Sequence, residues 1–148
     1  MKKFQFSLDS VLGYRQQVLD GLQNEYAQAM EKVRRQEARK AAVEERYRQL
    51  NQKFREEAAV GISVADALSY EGGLRLLEQE IARETRVLQE YRKAAEEKRQ
   101  QMMQAHIDTT VLERLKEKKL QEYQKDVQKS DERFIDELVS ASRYAAPD

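Results

Sequence analysis

Val60-Gly61-Ile62-Ser63-Val64-Ala65-Asp66 lies near the middle of the chain, between two charged segments with helical periodicity, each longer than an ordinary globular helix. Gly61 follows the helix formers Lys53, Phe54, Arg55, Glu56, Glu57, Ala58 and Ala59. A glycine there can adopt the left-handed conformation that ends a helix and satisfies its last carbonyls. Ser63-Val64-Ala65-Asp66 has the S-x-x-D/E form that starts one, because the serine oxygen accepts from the backbone N–H of the third helical residue. A stop followed at once by a start reads as a hairpin bend. The expected fold is all-α, a long antiparallel two-helix coiled-coil hairpin. Residues 1–148 would form one domain, with helix 1 over about 4–59, a turn over about 60–66, helix 2 over about 67–140 and a flexible tail over 141–148.

Stepping outward from the bend, the first segment carries a 4-3 apolar stripe. It runs Leu8, Leu12, Arg15, Leu19, Leu22, Tyr26, Ala29, Val33, Gln36, Lys40, Val43, Tyr47, Leu50 and Phe54, with only Arg15, Gln36 and Lys40 polar. A 3.5-residue repeat held over several heptads keeps one stripe turned to a partner and predicts a left-handed coiled coil. Such a helix is not stable alone. The second segment supplies the partner: Leu74, Leu77, Ile81, Glu84, Leu88, Tyr91, Ala95, Lys98, Met102, Ala105, Thr109 and Leu112. Beyond Leu112 the phase slips, and Leu115, Leu120, Tyr123, Val127, Phe134 and Leu138 fit only after a stutter around residues 109–120. The expected register sets Leu8 opposite roughly Asp126 and Gln36 opposite roughly Lys98, and residues after about 128 project past the start of helix 1. An arm of roughly 55 residues is about 80 Å long. Gly72-Gly73 is a weak point early in helix 2, at about 1 kcal/mol per glycine relative to alanine.

Composition agrees with this reading. Charged residues make up 36% of the chain, there is no Cys or Trp, and the single proline is Pro147, which is the usage of a coiled coil. Lys plus Arg and Asp plus Glu both total 27, so no net field draws in nucleic acid or an anionic membrane. No apolar run approaches the roughly 18 to 20 residues of a membrane span, and Met1 to Asp9 breaks its apolar pattern too often for a signal peptide. The expectation is a cytoplasmic protein.

Catalysis needs convergent polar groups in a partly dry pocket, which a two-helix seam lacks. His106 is the only histidine, with no Cys to complete a transition-metal site. No phosphate-binding loop is present, and acid pairs such as Glu56-Glu57 and Glu96-Glu97 are neighbours that point apart on a helix. No enzyme activity, cofactor, metal or small-molecule substrate is expected.

Binding is where the residues carry information. Phe4, Phe6, Leu8, Val11 and Leu12 put more apolar bulk at the N-terminus than one seam requires. Either they cap the coiled-coil end against Val127 and Phe134, or the paired ends form an apolar tip offered to another protein. Near the bend, Tyr47, Leu50 and Phe54 face Tyr70, Leu74, Leu77 and Ile81; packing accounts for most of these, with Tyr47 and Tyr70 bulky enough to anchor a partner.

Phe4-x-Phe6-x-Leu8-x-x-Val11-Leu12-x-x-Arg15 resembles the F-x-F-x-L-x-x-V-L-x-x-R opening of the FliJ family of the bacterial flagellar export apparatus. The bend, from Gly61 through Ala67, Leu68 and Tyr70 to Leu74, Leu77 and Ile81, resembles that family's central turn. Leu112, Leu115, Tyr123 and Asp131-Glu132 are similar to its C-terminal half, so the resemblance covers essentially the whole chain. It implies a stalk-like hairpin whose free-end tip enters the ring of the export ATPase (FliI), which touches the export gate protein (FlhA), and which escorts export chaperones. Phe4, Phe6, Leu8, Val11, Leu12 and Arg15 would face the ATPase; Tyr47, Leu50, Tyr70, Leu74 and Leu77 would lie near the gate. The implied location is the cytoplasm, peripheral to the inner face of the cell membrane. Alternatives are the equivalent stalk of a virulence type III secretion system, a general coiled-coil chaperone, and a parallel self-associating coiled coil without a hairpin.

Overall fold

The computed structural model describes residues 2–145. Two helices make up nearly all of it, α1 (Asp9–Val60) and α2 (Val64–Ala145), and they pack against each other as an antiparallel hairpin. The bend is shorter than expected: only Gly61, Ile62 and Ser63 leave the helical state. Gly61 has φ of 110°, and its N–H bonds the Glu57 carbonyl at 3.0 Å, a left-handed stop that a side-chain-bearing residue would occupy only under strain. Ser63 caps α2, its Oγ accepting from the Asp66 N–H at 3.1 Å while its carbonyl accepts from Ala67 at 3.0 Å.

At the other end α1 starts at Asp9, not near residue 4. Asp9 places a carboxylate in the first turn, where the helix dipole favours it. Residues 2–8 instead run non-helically along α2. The Phe4 ring lies 5.6 Å from that of Tyr123, whose hydroxyl donates to the Lys2 carbonyl. Helix α2 likewise continues past residue 140 to Ala145, so most of the segment expected to be a flexible tail is helical, and residues 146–148 lie outside the described residues.

The chain divides into two compact units, Gly21–Met102 and Met1–Asp20 with Met103–Asp148. In the first, Val33, Leu88 and Ala95 form a core, each 3% exposed, with Ala29, Met30 and Tyr91 packed around it. The buried Gln36 bridges the helices, donating to the Glu84 carbonyl at 3.0 Å and to its carboxylate. In the second, Leu12, Ala105 and Thr109 are buried. Thr109 Oγ1 donates to Ala105 O at 2.8 Å and Arg15 O at 3.3 Å, which is how a seam position tolerates a hydroxyl. All the stripe positions read from the sequence up to Leu112 are buried or half-buried except Leu8, which is 36% exposed. Past Leu112, half-burial at Leu115, Lys116, Leu120, Tyr123 and Val127 follows the stutter.

The register differs from the expected one. Asp9–Lys116 (3.0 Å), Arg15–Asp108 (3.6 Å), Glu25–Lys98 (2.9 Å) and Arg46–Glu80 (2.8 Å) are cross-helix ion pairs whose residue numbers sum to between 123 and 126. The hairpin therefore reflects about Ile62. Leu8 sits opposite the layer of Lys116 and Gln36 opposite that of Leu88, about ten residues earlier than expected. An antiparallel hairpin closed at Gly61–Ser63 pairs residues whose numbers sum to about twice 62, which sets this register.

Candidate partner-binding surfaces

The N-terminal end brings the expected tip residues together unequally. Phe4 and Phe6 are half-buried, and Leu12 is 4% exposed in the seam. Arg15 pairs with Asp108 through its guanidinium, and its carbonyl accepts from Thr109. Leu8 and Val11 remain accessible, and Tyr14 beside them is 63% exposed. The strap capping this end leans on Tyr123, not on Phe134, which α1 does not reach.

At the bend, the expected partner residues are mostly structural. Tyr70 stacks on Phe54 with centroids 5.2 Å apart, and its hydroxyl donates to Glu57 at 2.5 Å. That bond to a carboxylate pushes its pKa up to about 12, since ionising the phenol would set two anions in contact. Tyr47 donates to Glu78 at 3.2 Å. Leu50, Leu74 and Leu77 are half-buried. A methyl group added to Gly73 would stand 3.0 Å from Leu50 Cδ2, so this glycine lets Leu50 approach the helix and is more than a weak point. The open apolar surface near the bend is a different set, Val60, Val64, Leu68 and Leu76, spaced along the outward side of the turn and of α2.

A second surface lies where the sequence reading expects residues after about 128 to project past the start of helix 1. Residues 128–145 of α2 are all exposed, and among them Phe134, Ile135, Leu138 and Val139 form an uncovered apolar stripe. Periodicity names Phe134 and Leu138 of this stripe, and the structure adds Ile135 and Val139 beside them. Many of the remaining charges form surface ion pairs: Arg34 and Arg35 hold the Glu31 carboxyl below its ordinary value, and Arg99 does the same to Glu96. Among the described residues no group of three or more His, Cys, Asp or Glu could hold a metal ion, and no helix is long and apolar enough to cross a membrane. The clefts between the helices are open to solvent and lined largely by charged flanks and alanine.

The fold defines a class: an antiparallel helical hairpin that leaves apolar side chains exposed. No curated protein and no solved structure matches the chain. The family model described as "Flagellar FliJ protein" matches residues 4–147, and the chain belongs to that family. It is thereby a component of the flagellar protein export apparatus.

Proposed function

We propose that this chain is a non-enzymatic, stalk-like element of the export apparatus. Its free end docks on the export ATPase (FliI), while the bend region meets the export gate (FlhA) and the hairpin hands export chaperones between them. The match over residues 4–147 carries the reading. The hairpin supports it, because two helices closed by a capped three-residue bend offer one set of exposed side chains at the bend and another at the termini. In this reading Leu8 and Val11 make direct contact with the ATPase, while Phe4, Phe6, Leu12 and Arg15 hold the end in shape. Tyr47, Leu50, Tyr70, Leu74 and Leu77 shape the gate-facing end in the same way. The protein is cytoplasmic and peripheral to the inner face of the cell membrane.

The test is stimulation of the purified export ATPase by full-length chain carrying Leu8→Glu and Val11→Glu. Both sites are accessible, so helicity stays and stimulation falls by roughly tenfold or more, as for loss of two contact residues. Wild-type stimulation by this variant refutes the assignment of the tip.

A further inference from the structure

Residues 3–7 alternate in exposure: Lys3, Gln5 and Ser7 face solvent, while Phe4 and Phe6 are half-buried. That is the two-residue period of an extended chain with one side covered. The covered side is the one toward α2, where the Phe4 ring meets Tyr123. Reach explains the extended form. Asp9, the first residue of α1, pairs with Lys116, so the regular seam ends at that layer. The five residues 2–6, wound as helix, would add about 8 Å; extended, they add about 16 Å, the length of roughly eleven residues of α2. Half-burial on α2 accordingly continues through Leu120, Tyr123 and Val127, and every residue from 128 to 145 is exposed.

The covered and bare stretches belong to one face. At ~100° per residue, Leu120, Tyr123, Val127, Phe134 and Leu138 fall within an arc of about 60°, with Ser130 and Asp131 just outside its two borders. The stripe is about 27 Å long. Residues 2–8 lie over its first half and leave its second half open.

This strap is held lightly. Two half-buried rings and the bond from the Tyr123 hydroxyl to the Lys2 carbonyl tie it to α2. Asp9 N–H donates to the Phe6 carbonyl at 3.1 Å and turns the strap out of α1. Among the described residues no backbone-to-backbone bond joins residues 2–8 to α2. The neighbouring seam, by contrast, holds Leu12, Ala105 and Thr109 at 6% exposure or less. Ordering the backbone of five residues opposes what two rings gain, and segments with few buried contacts open more readily than the body they rest on.

We propose that residues 2–8 are a self-masking strap. They lift from α2 as a unit while the hairpin stays closed, and lifting joins Leu120, Tyr123 and Val127 to Phe134 and Leu138 as one continuous apolar face. In the closed state the occupant of the first half is this chain's own N-terminal segment. The strap thereby sets how much of α2 the free end offers. Its opening is a property of the chain alone, separate from the ATPase reading.

The chain has no cysteine, so single thiols placed in the full chain report each site by their rate of reaction with a maleimide. Three variants are compared: Val127→Cys under the strap, Phe134→Cys on the bare half, and Val43→Cys in the seam, where Val43 is 4% exposed. Phe134→Cys reacts as an open thiol. Val43→Cys reacts through unfolding of the hairpin, so its rate climbs steeply with urea. Val127→Cys falls between them, and its rate barely changes in low urea, because lifting a strap exposes little surface. Adding Phe4→Ala and Phe6→Ala speeds Val127→Cys by roughly tenfold and leaves Val43→Cys and the helicity by circular dichroism unchanged. A Val127→Cys rate that rises with urea as steeply as that of Val43→Cys overturns the proposal, because residues 2–8 would then be a fixed part of the hairpin. A rate equal to that of Phe134→Cys, or one unmoved by the loss of both rings, overturns it too, since the strap would not be what shields Val127.

Discussion

Leu88 offers the sharpest test of the seam. It is 3% exposed and packs with Val33 and Ala95, with Met30 and Tyr91 around them. Leu→Ala in a closed core costs about 2 to 5 kcal/mol, the transfer energy of the lost atoms plus the cavity left behind. Here the seam is one side chain thick and both flanks are wet, so neighbours relax and water reaches the gap. The cost then falls near the lower end, about 2.5 kcal/mol. That is roughly a 60-fold change in the folding equilibrium and lowers Tm by about 5 to 10 °C for a chain of this size. Urea unfolding followed by circular dichroism at fixed protein concentration measures it. Leu76→Ala is the control: Leu76 is an equally large leucine on the same helix but 67% exposed, so its loss stays within about 0.5 kcal/mol. If the two variants unfold at the same urea concentration, burial along the stripe does not hold the helices together and the reasoning fails.

Gly61→Ala forces a side chain into φ of 110° and costs about 1 to 2 kcal/mol, read as a shift in the same urea transition. Ser63→Ala removes the α2 cap at about 1 kcal/mol, and Ser63→Asp restores it. Gln36→Leu replaces a buried polar layer tied to Glu84. Melting temperature rises while register specificity falls, seen as extra cross-helix pairs when cysteines are scanned along α2. Because Tyr70 has its pKa raised by Glu57, its contribution is fully present below pH about 10 and is lost as pH climbs toward about 12. Tyr70→Phe flattens that loss in an alkaline titration of helicity. Glu31 and Glu96, held low by Arg34 and Arg99, contribute in the opposite direction. Their part is present above the ordinary 4.5 and lost as pH falls below it, and Glu31→Gln with Glu96→Gln weakens the acid-side transition.

What the sequence determined by itself is local or periodic. A glycine stop and a serine cap two residues on are properties of the backbone and of one side chain, so Gly61 and Ser63 announced the bend unaided. The 4-3 stripes on both segments named nearly every seam position up to Leu112, because a helix fixes which residues share a face whatever lies opposite. The Phe4–Arg15 pattern resembles the opening of the family to which the chain belongs, a likeness of motif and not of periodicity.

Register and exposure needed the tertiary structure. Both depend on where two helices meet, and neither stripe contains that distance. The cross-helix ion pairs centre the hairpin on Ile62 and set Gln36 opposite the Leu88 layer, about ten residues from Lys98. Which of the apolar side chains on α2 stay uncovered, Phe134, Ile135, Leu138 and Val139 among them, follows from that register. Periodicity says which side of a helix is greasy, and only the meeting of the two helices decides how much of that side stays uncovered.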